Sequence, residues 1–484
     1  MSEVKFGRFF KSFLAGLFLV IFASQCFPQS QSRTADNRAE RERKYMELIY
    51  RVFQTIEYNY VDEVDPEVLY KGAMKGMLDS LGDPHTCYLD TDAWRDITDT
   101  TSGSFGGVGL SISKPAESTP EKPAYVEVAQ PIDGTPGFRA GIQAGDLIIE
   151  IDGTDTSSIT MEQVLGMLRG TVGESVNLKL RRGKTYEFER TLVRAVIETP
   201  TVKYGMIGNT GYIKITSFSS PTASCVQKAL DSFGNYSSLI LDLRYNGGGL
   251  LTSAKDIADK FIDKGPIVST KSRIYYENST YYADKKNTTV KHGIPIIVLI
   301  NGGTASASEI LSGALKDNHL ALLVGEKTYG KGSVQIPNPL TETDGYKLTI
   351  ARYYSPSDTN IDKIGIPPDV EVKFHELTEE EQQTLQTLYT DNVVEKYVES
   401  NQDMDENDIA HYAQILKKTY PLESSLLRKI IRNELDRTRP ARLYDLDYDV
   451  QLNEALRIIH EEDFSSMIMN AKTLKELQEE AKTE

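Results

Sequence analysis

The sequence predicts a multidomain α+β protein in which a small β-rich domain precedes an α/β core, with helical regions at both ends. Three observations predict it. At 484 residues the chain exceeds one ordinary core, since domains usually run to roughly 100–200 residues. From Gly103 the texture turns to short β-branched stretches closed by glycine turns. From Val202 continuous apolar stretches alternate with helical ones, the pattern of buried, largely parallel strands. The composition, 39% hydrophobic and 26% charged, is globular. A net charge of −16 repels phosphate backbones, which argues against nucleic acid as a partner.

Residues 1–26 carry Lys5, Arg8 and Lys11 ahead of the apolar run "FLAGLFLVIFA", the layout of an export signal or a membrane anchor. A full bilayer span needs about 20 apolar residues, and only with Phe9 and Phe10 does this run approach that. Cys26 is the residue a lipoprotein would acylate, although Gln25 before it is larger than such sites normally show. Export places the protein in a bacterial periplasm or cell envelope, with inner-membrane anchoring left open. Residues 27–40 are polar and read as a linker.

Residues 41–102 form an N-terminal helical region: "YMELIYRVFQTIEYNY" has helical apolar spacing, and Asp65-Pro66 is a cap followed by a first-turn proline. Residues 103–195 form the β-rich domain, with "GGVGLSIS", "AYVEVAQ", "DLIIEIDG" and "SVNLKLRRG" as strands and "TMEQVLGMLRG" as a helix. Residues 196–375 form the core, in which "GYIKIT", "SSLILDLR", "IPIIVLI" and "LALLVG" are strands. Residues 376–484 are helical, opened by Thr378 and Glu381 at capping-box spacing. The apolar stripes of both helical regions read first as internal packing, with a homodimer interface as the alternative.

Three cysteines and six scattered histidines give no disulfide framework and no metal-ligand spacing, so no cofactor or metal is expected. Chemistry concentrates instead in three glycine-flanked segments. "NGGTASASEI" follows a buried strand and places Ser306 at a helix mouth, where free N–H groups and the dipole favour an oxyanion. Ser306 and Glu309 also have capping-box spacing, and on this window alone a cap is the simpler reading. "TYGKGSVQ" sets Lys331 between two glycines. A desolvated lysine is a usable general base, and Gln335 four residues on in a strand can face the same side. "LILDLRYNGGG" ends a buried strand in three glycines, a candidate oxyanion hole or simply a turn.

"DLRYNGGG", "TASASEI" and "TYGKGSVQ", in this order, resemble the carboxyl-terminal processing (tail-specific) peptidases, and the likeness extends from "GDPHTCYL" to "IGIPPDVEV". The resemblance implies a crotonase/ClpP-like α/β core and a serine endopeptidase of Ser/Lys dyad type that cleaves exported proteins. Ser306 would be the nucleophile, Lys331 the general base and Gln335 its orienting residue, with an oxyanion hole at the backbone of Gly248 and Ala307. Gly247 departs from the proline usual in the family. Residues 103–195 would be a PDZ domain that receives the free C-terminus of a protein or peptide substrate at Gly107, Val108, Gly109 and Leu110. Arg169 resembles an arginine that couples this domain to the active site, and a surface salt bridge is the other reading.

Overall fold

The computed structural model describes residues 30–115, 123–274, 278–437 and 442–483. The export signal or anchor, and Cys26 with it, lie outside the described residues. Among the described residues no helix is long and apolar enough to cross a membrane.

The chain divides into two units, residues 1–88 and 89–484. The first holds helices α1 (Ser30–Asn59) and α2 (Pro66–Asp79). The expected cap is present at α2, where the Asp65 carboxylate accepts the Glu67 N–H at 2.9 Å and Pro66 opens the helix. The stretch read as a linker is already helical from Ser30. Nor is the apolar stripe of α1 internal packing, because Tyr45, Met46, Tyr50 and Val52 are all more than half exposed.

The second unit begins with α3 (Thr91–Ser102), capped by Asp90 and ended by Gly103 in a left-handed conformation. The β-rich domain follows: β1 (Ser104–Gly107), β2 (Leu110–Ser113), β3 (Val126–Pro131), β4 (Leu147–Ile151), α4 (Met161–Leu168), β5 (Ser175–Arg182), β6 (Tyr186–Val193) and β7 (Ala195–Glu198). Its sheet runs in the order β2–β3–β4–β5–β6, all antiparallel, and β1 pairs with β7. Val126, Val128, Ile148, Ile151, Val176, Leu178 and Leu180 fill its core, closed by Val164 and Leu168 of α4. Thus β2 lies at the edge of this sheet.

The core contains β8 (Val202–Ile207), β9 (Thr210–Ile215), α5 (Thr222–Ser232), β10 (Ser238–Asp242), α6 (Leu251–Ala258), β11 (Pro266–Lys271), β12 (Ser279–Tyr282) and β13 (Ile296–Ile300). It continues with α7 (Ala307–Asp317), β14 (Leu322–Gly325), β15 (Ser333–Pro339), β16 (Gly345–Tyr354) and β17 (Val370–Glu371). The main sheet runs β8–β9–β10–β13–β14–β17, parallel from β9 onward, as the continuous apolar strands require. Leu239, Leu241, Val298 and Ile300 face α5, α6 and α7 on one side, whereas Ile240, Ile297, Leu299 and Val324 face the other. A second sheet pairs β15 with β16, β16 with β11, and β11 with β12, all antiparallel.

The C-terminal residues, expected as one helical region, split. Helices α8 (Glu379–Asp391), α9 (Val393–Glu399), α10 (Glu406–Thr419) and α11 (Ser424–Leu435) bury a core of their own around Leu416, Leu427 and Ile431. By contrast α12 (Val450–Glu461), α13 (Phe464–Asn470) and α14 (Leu474–Glu480) complete the core, with Leu452, Ala455 and Ile458 covering the second face of the main sheet and Leu474 joining the first. The sequence pattern shows each helix as amphipathic and carries no signal for which sheet an apolar stripe meets.

Candidate active site

Strand β13 delivers the chain into the turn 301–305 and then α7. The turn is tightly tied: Asn301 Oδ1 accepts the N–H groups of Tyr245 at 2.9 Å and Gly303 at 3.1 Å, and the Thr304 hydroxyl donates to the Leu243 carbonyl at 2.9 Å. Ser306 follows at the N-cap with φ 57° and ψ −115°, outside the left-handed helical basin. Such a conformation in a non-glycine residue costs about 1–3 kcal/mol and persists only where its surroundings over-determine it. It raises the serine out of the strand-to-helix turn into a cleft.

The cap reading and the catalytic reading of Ser306 turn out not to compete, because the Glu309 carboxylate accepts the Ser306 N–H while the Ser306 hydroxyl makes no cap hydrogen bond. Glu309 does more than cap. The carboxylate is 1% exposed and accepts four donors: the Ser306 N–H at 2.8 Å, the Thr328 hydroxyl at 2.6 Å, and the N–H groups of Gly330 at 2.7 Å and Lys331 at 2.9 Å. One side chain therefore fixes both the serine turn and the lysine loop. Burial pushes the Glu309 carboxyl above its ordinary range, against the downward pull of these hydrogen bonds.

Tyr353 of β16 makes a second tie. Its buried hydroxyl reaches the Ser306 carbonyl at 3.3 Å and donates to the Lys331 carbonyl. Burial, reinforced by the charges of Glu309 and Asp362, drives its ionisation far above the usual phenol range, so it stays a donor. Neither Glu309 as a bridge nor Tyr353 was legible from sequence spacing, since both act across sequence separations that no period links.

Ser306, Lys331 and Gln335 line one cleft of about 510 Å³, together with Gly247, Gly249 and Tyr353. The Gln335 amide nitrogen donates to the hydroxyls of Ser333 at 2.8 Å and Thr349 at 3.1 Å. An apolar wall of Leu250, Leu251, Ile310 and Val334 faces the serine, and α3 contributes Asp96, Ile97, Thr100 and Thr101. The sequence places α3 only within the broad helical region 41–102 and carries no sign of a cleft wall.

The expected oxyanion donors fare differently. The Ala307 N–H is the first of α7 and has no carbonyl partner within its own helix. Gly248 packs directly on the serine turn, where an added Cβ would lie 2.8 Å from Ser306 Cβ and 2.9 Å from the Ala307 nitrogen. Its N–H, however, donates to Asn246 Oδ1 at 2.9 Å, so in this state it is already engaged.

In the β-rich domain, Gly107 at the end of β1 and Val108 and Gly109 in the turn leading to edge strand β2 are buried, and Leu110 is half-buried at the start of β2. Gly109 has φ 73° and lies against Thr135, leaving no room for a side chain. Arg169 ends α4, lies 4.8 Å from the Phe105 ring centroid, and pairs with Asp96 at 2.9 Å and Asp99 at 3.5 Å on α3. Among the described residues no group of three or more His, Cys, Asp or Glu side chains is placed to hold a metal ion.

Comparison with known proteins adds three domain matches: residues 209–372 to peptidase family S41, residues 127–182 to a PDZ domain, and residues 16–93 to the N-terminal domain of the activating protease CtpB. The carboxy-terminal-processing protease of Bartonella bacilliformis is 38% identical over 371 residues, covering 75% of this chain and 82% of that protein. The carboxy-terminal processing protease CtpA of Bacillus subtilis is 32% identical over 354 residues, 72% of each chain. Among solved structures, a photosystem II D1 C-terminal processing protease is 29% identical, covering 67% of this chain and 92% of that one with a TM-score of 0.40.

Proposed function

The chain belongs to peptidase family S41, as a carboxy-terminal processing serine peptidase with a PDZ domain, and on that premise we propose that Ser306 is its nucleophile and Lys331 its general base. The observation that carries this reading is the convergence of Ser306, Lys331 and Gln335 on one cleft, with Glu309 hydrogen-bonded to the backbone of both the serine and the lysine. The neutral Lys331 amine takes the Oγ proton as Oγ attacks the scissile carbonyl. The resulting ammonium then protonates the leaving amine, which leaves an acyl-enzyme for water to cleave. Gln335 spends its amide protons on Ser333 and Thr349, which directs its carbonyl oxygen to the task of holding the lysine amine.

The oxyanion rests on the Ala307 N–H and on the glycine loop. For Gly248 to take part it exchanges Asn246 Oδ1 for the substrate oxygen, so the hole is completed only as substrate arrives. The apolar wall of Leu250, Leu251 and Ile310 selects an uncharged side chain beside the scissile bond. Substrates are exported polypeptides whose free C-terminus extends edge strand β2, its carboxylate on the loop 107–110. The core is read as crotonase-like in lineage.

The test is covalent. A fluorophosphonate probe labels wild type and not Ser306→Ala, and the same variant loses turnover of an unstructured polypeptide. Equal labelling of the two proteins would remove Ser306 from the chemistry.

A further inference from the structure

The loop that meets the nucleophile is anchored from outside the peptidase motifs. Arg244, two residues past the end of β10 and 6% exposed, uses all five of its N–H donors. Nε donates to Asp242 Oδ1 at 2.9 Å, and one terminal nitrogen donates to Asp242 Oδ2 and Asp449 Oδ2, both at 2.7 Å. The other donates to Asp449 Oδ1 at 2.7 Å and Gln451 Oε1 at 3.1 Å. Asp242 is fully buried and also accepts the Tyr212 hydroxyl at 2.6 Å, so the inner half of this arrangement is a fixed base. The outer half comes from α12: Asp449 caps that helix by accepting the Leu452 N–H at 3.0 Å, and buried Gln451 donates to the Val372 carbonyl at 2.8 Å.

What Arg244 holds is the segment 245–249. Tyr245 has φ 60°, a conformation a tyrosine keeps only when both ends are tied. At the far end the Asn246 carbonyl accepts the Ala305 N–H at 3.0 Å and the Ser308 hydroxyl at 2.9 Å, which flank Ser306 in sequence. Gly248 then packs on the Ala307 nitrogen. A rigid path therefore runs from the cap of a C-terminal helix, through one guanidinium, to the backbone where the oxyanion forms.

We propose that Asp449 and Gln451 are positioning residues for peptide-bond cleavage, fixing the glycine loop through Arg244. The inference rests on the assignment of Ser306 as nucleophile. Neither residue lies within 209–372, the part matched by the peptidase family. Asp449 also borders an open crevice of about 480 Å³ shared with Arg244 and Tyr245. Water can therefore reach guanidinium donors released by a substitution at Asp449.

The experiment uses the full chain and compares Asp449→Asn, Asp449→Glu and Ser306→Ala. Asparagine keeps the helix cap but removes the charge and the two-pronged acceptor. The expected result is a fall of about tenfold in kcat and in the single-turnover acylation rate, smaller than the hundredfold or more that follows loss of an oxyanion donor. KM stays unchanged, the thermal midpoint falls because the buried guanidinium loses its charged acceptor, and Asp449→Glu recovers part of the rate. Unchanged turnover per labelled serine in Asp449→Asn, with or without a lowered midpoint, overturns the proposal while leaving the nucleophile assignment intact. Undiminished turnover in Ser306→Ala overturns both.

Discussion

At the scale of single residues, Glu309 shows how little a short sequence window reveals of a side chain's duties. The S-x-x-E spacing makes a cap legible, and its glutamate half is there, the carboxylate accepting the Ser306 N–H. The same carboxylate also accepts three donors from 328–331, about twenty residues on, where no periodicity points. Replacing it with glutamine turns one acceptor oxygen into a donor facing donors. Each buried N–H or O–H left unpaired costs about 1–3 kcal/mol. Glu309→Gln is therefore expected to lower the urea midpoint and to slow turnover together, because serine and lysine segments loosen at once. A variant that lost activity with its urea midpoint intact would contradict this account. Gly248 offers a sharper case: at φ 103°, with the Ala305 oxygen 2.7 Å from where a Cβ would sit, Gly248→Ala strains the loop against the serine turn. We expect kcat to fall at least tenfold with fluorophosphonate labelling slowed in parallel.

At the scale of elements, the alternation of apolar strands and helices from Val202 onward made the parallel sheet legible, and Leu239 through Leu241 show why: the middle of a strand buried on both faces has no polar positions to break its run. The second sheet was not legible, since β15 and β16 carry half-exposed positions and pair across an antiparallel register that spacing alone does not fix. Nor was the separateness of α8–α11. That subdomain is closed by charge as well as by apolar packing, for Arg432 pairs with Glu406 at 2.7 Å, Asp445 at 3.1 Å and Asp447 at 2.8 Å. Hydrogen bonds from Arg432 and Arg428 respectively hold the Glu406 and Asp447 carboxyls below their ordinary values. The sign follows directly. A depressed carboxyl contributes stability that is present above its unfolded value, about 4, and is lost as pH falls through the folded one. Acid titration should thus release protection of amides in α10 and α11 before those of the main sheet, read by hydrogen exchange at stepped pH. Simultaneous loss in both places would show that these pairs contribute nothing local, as many exposed ion pairs do.

At the scale of the whole molecule, the question is how a bound C-terminus could influence a serine that another part of the chain carries. Arg169 is the one residue at the end of α4 whose charge reaches α3, and α3 is a wall of the candidate cleft through Asp96, Ile97, Thr100 and Thr101. Asp96 is largely exposed, so the pair adds little to stability, on the order of 0–1 kcal/mol. That weakness is useful, because a contact of this strength can be remade at small cost when the peptide loop shifts. If it transmits occupancy of the PDZ groove, wild type cleaves a free-acid peptide with a higher kcat than its C-terminal amide, and not merely a lower KM. Arg169→Ala should keep the difference in KM, which belongs to the carboxylate loop, and lose the difference in kcat, which belongs to α3. Exchanging the charges, Asp96→Arg with Arg169→Asp, should restore part of the kcat difference, with Asp99 left as a like charge opposing full recovery. Should Arg169→Ala preserve the kcat ratio of acid to amide, the ion pair is surface decoration and the coupling, if any, runs through another part of the domain.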